Sequence, residues 1–388
     1  MKQMGVQKKA TLEKPDSPGL AGNSQVPFGS NCVRLSGREW SVVAIVVSAL
    51  FFLGPTLWER LEEFEPEPDY RLPYVLSSDY WLYERYCRWA CSQGETLVIG
   101  DSVVWGHYVS QGHTLSHYLN EIAGDNRFAN LGVDGIHPAA LDGLLRYYGE
   151  DISNKTVILH LNPLWMSTPK HDLQSEKEFR FNHPKLVPQF LPRIACYTES
   201  VPNRIGIVLE RKTPLLSWAS HLRTAYFNKM DLSSWTMQHP YELPFRALTF
   251  ELPEPKETTE QDQPWNARGG TKQSFPWVSL ESSVQWKFFR RAVENLREHG
   301  NTVFVLIGPF NEHMLKDKSL ETYRSIKAGV ETWLRENKVP YYLPAPLPSD
   351  LYADASHPLG GGYAMLARRL FDDESFKSVV LSPGGQSK

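Results

Sequence analysis

The stretch Leu97-Val98-Ile99-Gly100-Asp101-Ser102 sets the terms for the rest of this chain. An unbroken apolar run that stops at a glycine is the pattern of a buried parallel strand, covered on both faces and ending at a sharp turn. A helical pattern follows, over 114–123. A serine at such a strand-to-helix turn lies at the carboxyl edge of the sheet, where open α/β folds bind their ligands. The same alternation recurs downstream. Strand patterns fall near 96–100, 127–131, 156–161, 302–307 and 340–343, and helical patterns near 114–123, 138–149, 282–298, 318–336 and 359–370. That order predicts an α/β fold with a doubly wound parallel sheet of about five strands.

The alternation lapses between Asn162 and about Leu280, a stretch dense in Pro and Trp and far too long for an ordinary connection. Because it leaves the sheet after the third strand, residues 163–280 are expected to form a cap over the active-site edge. Trp165, Trp218, Trp235, Trp265 and Trp277 would offer faces for sugar rings, with ordinary core packing as the competing account. Residues 253–275, polar and rich in Gly, Pro, Thr and Gln, read as a mobile loop.

Near the other end, Asp354-Ala355-Ser356-His357 precedes the last helical pattern. A serine hydroxyl is a poor nucleophile until a histidine takes its proton, and that imidazole needs a carboxylate to fix its tautomer. Ser102, His357 and Asp354 supply the three parts. Four blocks then resemble the SGNH, or GDSL, hydrolase superfamily: Gly100-Asp101-Ser102, Asn130-Leu131-Gly132-Val133-Asp134-Gly135, Leu159-His160-Leu161-Asn162-Pro163 and Asp354-Ala355-Ser356-His357. The resemblance implies a flavodoxin-like strand order. It also implies an oxyanion hole built from the Ser102 and Gly132 amides and the Asn162 side chain. The third block departs from the family's Gly-x-Asn-Asp, with His160 for the glycine and Pro163 for the aspartate. Gly308-Pro309-Phe310-Asn311-Glu312-His313 follows the fourth strand pattern, so Asn311 and His313 are candidate substrate contacts, or Asn311 a helix cap. His313 rivals His357 as base but has no carboxylate at the usual spacing. His107 and His137, near predicted strand ends, read as rim or structural residues.

The 388 residues carry a net charge of -3, with no basic stripe interleaved with aromatics, which argues against a nucleic-acid partner. No Cys/His spacing matches a zinc module, and His113 and His117 lack a third ligand, so neither metal nor cofactor is expected. Cys87 and Cys91, four apart in a helical pattern, are poorly placed to pair with each other; either could pair with Cys196.

Residues 1–39 are polar and aperiodic and read as a disordered tail, with six Lys/Arg against three Asp/Glu. Residues 40–58 then carry no charge and, as a helix, span roughly 28 Å, about the apolar thickness of a bilayer, with Trp40 and Trp58 at the two ends. Residues 59–69 are acidic and read as a charged linker. In the 59–92 segment they lead into an aromatic-rich packing helix over 79–90. The charge bias places the N-terminus in the cytoplasm and residues 93–388 outside, held by an uncleaved single-pass anchor. A cleaved signal peptide and a buried helix of a soluble protein are the competing readings.

Together these features imply a Ser-His-Asp acyl-enzyme hydrolase or acyltransferase. Its substrates would be O-acyl, above all O-acetyl, esters of an extracytoplasmic polysaccharide. By architectural resemblance it would work beside a membrane-bound O-acyltransferase. A lipid or small-ester esterase, or a non-catalytic carbohydrate-binding module of a surface-assembly complex, are the alternatives.

Overall fold

Five strands, β1 (Thr96–Gly100), β2 (Phe128–Gly132), β3 (Thr156–Leu161), β4 (Thr302–Ile307) and β5 (Tyr341–Tyr342), form one all-parallel sheet in the order β2-β1-β3-β4-β5. The computed structural model describes residues 35–175, 182–253 and 260–382. The chain divides into two units, Met1–Leu50 and Phe51–Lys388, and the sheet belongs to the second. β1 and β2 are buried along their whole length, as strands covered on both sides must be.

Alternate side chains build two cores. Leu97, Ile99, Leu131, Val157, Leu159, Val303 and Val305 join one with α2 (Tyr80–Gln93), α5 (Pro138–Tyr148), α9 (Val284–Glu298) and α10 (Asp317–Glu336). Val98, Ile158, Phe304 and Leu306 join the other with α4 (Leu115–Ala123) and α11 (Gly360–Asp372). Local capping sets the helix ends. Asp79 accepts the Leu82 amide at the start of α2, and Gly94, at φ 76°, closes it in the left-handed conformation.

α1 (Gly37–Leu61) contains the uncharged run and is long and apolar enough to cross a membrane. It begins three residues before the expected span, so 37–39 are helical, while 1–34 of the expected tail lie outside the described residues. Trp58, expected at one end of the span, is packed into the protein. It is 7 % exposed and packs on Trp218, Tyr226 and Phe250. Nor is the acidic stretch after it a free linker: Glu62 is buried, bonded to Arg85, Tyr226 and His221, and Glu59 pairs with Arg88. These partners come from distant segments, which is why the run reads as solvated from sequence alone.

Between β3 and α9 the chain forms α6 (Val201–Lys212), α7 (Pro214–Ala225) and α8 (Leu232–Gln238); the one-turn α3 (Ser102–Trp105) and the short α12 (Glu374–Phe376) complete the helices named here. The tryptophans of the long insertion are consumed by packing. Trp165, Trp235 and Trp265 are buried, Trp218 packs on Trp58, and Trp277 lies among Phe275, Phe310 and Tyr323. The competing account, ordinary packing, is what these rings show, with Trp165 alone of the five also lining the cleft described below. The expected loop over 253–275 is also tied down where described: Trp265 N–H donates to Tyr352 O and Gln273 N–H to Met314 O. Residues 254–259 lie outside the described residues. Cys87, Cys91 and Cys196 are all free thiols.

Candidate active site

At the end of β1 the chain turns straight into α3, with Asp101 as its cap: Oδ1 accepts the Val103 amide at 3.0 Å. Gly100 permits this turn because a Cβ there would lie 2.5 Å from Val104 Cγ2 and 2.7 Å from the Cβ of His160. The carbonyls that end the turn are also held. Arg71 donates to Trp105 O (2.9 Å), Gly106 O (2.6 Å) and Val109 O (2.9 Å), and its guanidinium lies 4.1 Å from the Trp105 ring centroid. Nothing in local sequence marks Arg71 for this role.

The turn presents Ser102, 8 % exposed, to the loop that follows β5. Ser102 Oγ is 2.8 Å from His357 Nε2, and His357 Nδ1 is 2.9 Å from both carboxylate oxygens of Asp354. Asp354 Oδ1 also accepts the amides of Ser356 and His357, so the loop that carries the imidazole is folded around its own carboxylate. Burial alone would raise the Asp354 pKa. The His357 ring and those amides outweigh it and hold the carboxyl at about 2. Burial likewise opposes charge on His357, but Asp354, with Asp101 and Asp134 further off, pushes its pKa above the ordinary value. A hydroxyl, a base and a carboxylate in this order meet the geometric requirement for an activated nucleophile.

His160 and Pro163 of the third sequence block both have structural roles at this turn. Pro163 opens a short 3-10 turn, Pro163–Met166, a position that suits proline's fixed φ. That turn brings Trp165 Nε1 to 2.8 Å from Asp101 Oδ2, which also accepts from Asn162 Nδ2 at 2.8 Å. His160 places Nδ1 3.3 Å from Asp101 Oδ1 and its Nε2 2.9 Å from Gly308 O. Burial would raise the Asp101 pKa, yet His160, the Val103 amide and Asn162 together lower it. The carboxylate beside Ser102 is thus a buried anion that accepts from the Val103 amide, Asn162 and Trp165, with the His160 ring close by.

Of the three expected oxyanion donors, Ser102 offers a first-turn helix amide and Asn162 keeps one of its two side-chain N–H groups. Gly132 does not serve. Its amide donates to Asn130 Oδ1 at 3.0 Å, and its missing Cβ makes room for the α3 backbone, where such an atom would lie 2.4 Å from Trp105 N. Gly135, three residues on at φ 70°, has an amide with no partner among the described residues.

The expectation for Asn311 is corrected, whereas His313 remains exposed. Asn311 is fully buried and not a substrate contact: its Nδ2 donates to Asp354 O and its amide to Ala355 O, bracing the loop that carries the base. It makes no side-chain cap either. His313 is bonded to Leu347 O. His137 is fully buried and caps α5 through Nδ1, with burial lowering its pKa to about 3. His113 pairs with Glu260 and His117 with Asp69, and no group fit to hold a metal occurs among the described residues. His107 stands closer to the chemistry than expected. Its Nδ1 is 2.6 Å from Asp134 Oδ1 and its ring centroid 5.5 Å from that of His357.

Asp134, Gly135 and Trp165 also line a cleft of about 1170 Å³. Lys170, Arg223 and Lys229 line it too, and their charged groups have no acidic partner among the described residues. Searches against family models and curated proteins return no match.

Proposed function

We propose that the protein is a membrane-anchored serine acyl-transfer enzyme of the SGNH type, acting on O-acyl, above all O-acetyl, esters of an anionic extracytoplasmic polysaccharide. The observation that carries this reading is the Ser102–His357–Asp354 relay at the carboxyl edge of β1. The strand order and the helices on both faces fit a doubly wound, flavodoxin-like fold.

Ser102 Oγ attacks the ester carbonyl and its proton passes to His357 Nε2, while Asp354 holds the opposite nitrogen. The Ser102 amide and Asn162 Nδ2 receive the oxyanion, each donor worth about 3 kcal/mol in the transition state. Gly135 replaces Gly132 as the third donor. Collapse gives acyl-Ser102, with the proton on Nε2 passing to the departing alcohol. An acceptor hydroxyl then gives its proton to His357 and attacks the acyl carbon, and as the ester to Ser102 breaks, Nε2 returns that proton to Ser102 Oγ.

The cleft supports a polymeric acceptor. Its volume lies just above that of ordinary small-molecule sites, and Lys170, Arg223 and Lys229 suit a chain bearing carboxylates or phosphates. Residues 163–280 supply these groups as a side wall. Water at about 55 M competes, but an oriented hydroxyl reaches effective molarities of about 10⁵ M or more. The basic tail before α1 and the acids after it favour a cytoplasmic N-terminus and an extracytoplasmic catalytic unit. A membrane-bound O-acyltransferase fits as the supplier of acyl groups.

The test uses the full chain in detergent with a fluorophosphonate probe, then p-nitrophenyl acetate with an anionic oligosaccharide. Labelling of Ser102 and a gain of acetyl on the glycan are expected. A folded protein that takes no label overturns the enzyme reading and leaves a binding module. Labelling with donor hydrolysis but no acetylated glycan leaves a plain esterase.

A further inference from the structure

Helix α6 turns Arg204 and Arg211, together with half-buried Ile207 and Val208, toward the protein and leaves an apolar stripe exposed. Its charged side faces the protein: Arg211 donates from Nε to Lys185 O (2.7 Å) and from Nη2 to Val187 O (2.7 Å). Arg204 donates to Tyr197 O (3.0 Å) and to Gln189 O. Both guanidiniums also lie over aromatic rings, Arg211 over Tyr147 and Arg204 over Tyr197. The apolar residues Val201, Ile205 and Leu209, spaced four apart and so on one face, are 60 %, 48 % and 52 % exposed, and no residue of α6 is buried. Beside them, next to the Gln189 carbonyl that Arg204 holds, Phe190 and Leu191 are 49 % and 87 % exposed. An ordinary surface helix puts its apolar stripe inward. Here five large apolar side chains point away from the protein, and their backbone is clamped so that they stay there.

Where α6 sits says what covers this face. Only Thr213 separates it from α7, and Trp218 of α7 packs against α1: a Cβ on Gly54 would lie 3.3 Å from the Trp218 ring, and the Trp58 ring lies tilted against it with centroids 5.9 Å apart. The residues of α1 just before that contact, Phe51, Phe52 and Leu53, are large, apolar and exposed. We infer that α6 and the Phe190–Leu191 tip lie in the interfacial layer of the lipid bilayer that α1 enters. The apolar face sinks among the acyl-chain ends and the arginine side stays with the protein. This rests on reading α1 as a membrane anchor.

The test uses the full chain with Cys32→Ser and Cys196→Ser, reconstituted in phosphatidylcholine/phosphatidylglycerol nanodiscs. An environment-sensitive fluorophore is attached at Ile205→Cys, at Leu191→Cys or, as control, at Glu336→Cys on the exposed side of α10. Nitroxide-bearing lipids should quench the labels at 205 and 191 at least threefold more than the control. If the protein stays in the disc through a carbonate wash while the label at 205 behaves like that at 336, the anchor stands and interfacial docking is overturned. If the label is shielded only in discs holding two copies, the face is a contact between copies and the inference is overturned. A chain that never enters the discs overturns the anchor reading and this one with it.

Discussion

His357 Nε2 and Ser102 Oγ lie 2.8 Å apart although 255 residues separate them in the chain. The sheet makes the meeting possible, since β1 delivers the serine and the loop after β5 delivers the imidazole to the same carboxyl edge. Residues joined in one relay lose their effect together. Ser102→Ala and His357→Ala should each lower the turnover of p-nitrophenyl acetate by about 10³-fold or more, and the double variant should fall little further. Additive losses would show that the two act apart.

On the acyl-transfer reading His357 acts as base only when neutral, and Asp354 raises its pKa. Activity should therefore climb as pH rises through a value above histidine's ordinary one. Asp354→Asn removes the main influence holding that value up. Its kcat/KM profile should keep an acidic limb displaced to lower pH, on a plateau reduced by about 10²- to 10⁴-fold. A limb that stays in place would assign the titration to another group.

Arg223 and Lys229 line the cleft without touching the relay. Arg223→Gln with Lys229→Gln should raise the KM for an anionic oligosaccharide acceptor by roughly tenfold, the worth of two partly screened charge contacts. Hydrolysis of p-nitrophenyl acetate and transfer to a neutral glycan should not change. Equal loss on both glycans would remove charge from the recognition.

His221 is wholly buried between Asp79 (2.7 Å) and Glu62 (2.8 Å). Burial opposes its charge, but the carboxylates prevail and push its pKa up to about 9. A folded pKa above the unfolded value of about 6.5 adds stability that is complete below that value and lost as pH rises through the folded one. Resistance to urea should fall between about pH 6.5 and pH 9, by on the order of 3 kcal/mol. His221→Gln should start less stable at pH 6 and lack this slope, and a wild-type midpoint independent of pH over that range would refute the assignment.

The sheet is legible in the sequence because parallel strands leave long apolar runs, as at Leu97-Val98-Ile99 and Val303-Phe304-Val305. Ser102, Asp354 and His357 can be named because short-range chemistry marks them: a glycine turn, and a carboxylate three residues before a histidine. What stays hidden depends on partners brought in by folding. Gly132 and Gly135 look alike in the chain, and only the Asn130 side chain, which takes one amide and not the other, separates them. Asn311 sits where a ligand contact belongs, but the Asp354 loop closes over it. His160 and Trp165 give no hint that both face Asp101.

On the proposal that α1 is a membrane anchor, the packing of Trp58 and Glu62 bears on how the rest of the protein can be shed. Trp58 donates to Glu62 at 2.9 Å and lies against three aromatic rings, so the last turn of α1 is part of the folded body. A protease that frees this body intact must cut before Gly54, among helical apolar residues. A cut at the acidic stretch instead removes Trp58 and exposes the Glu62 hub, trading release for a damaged product.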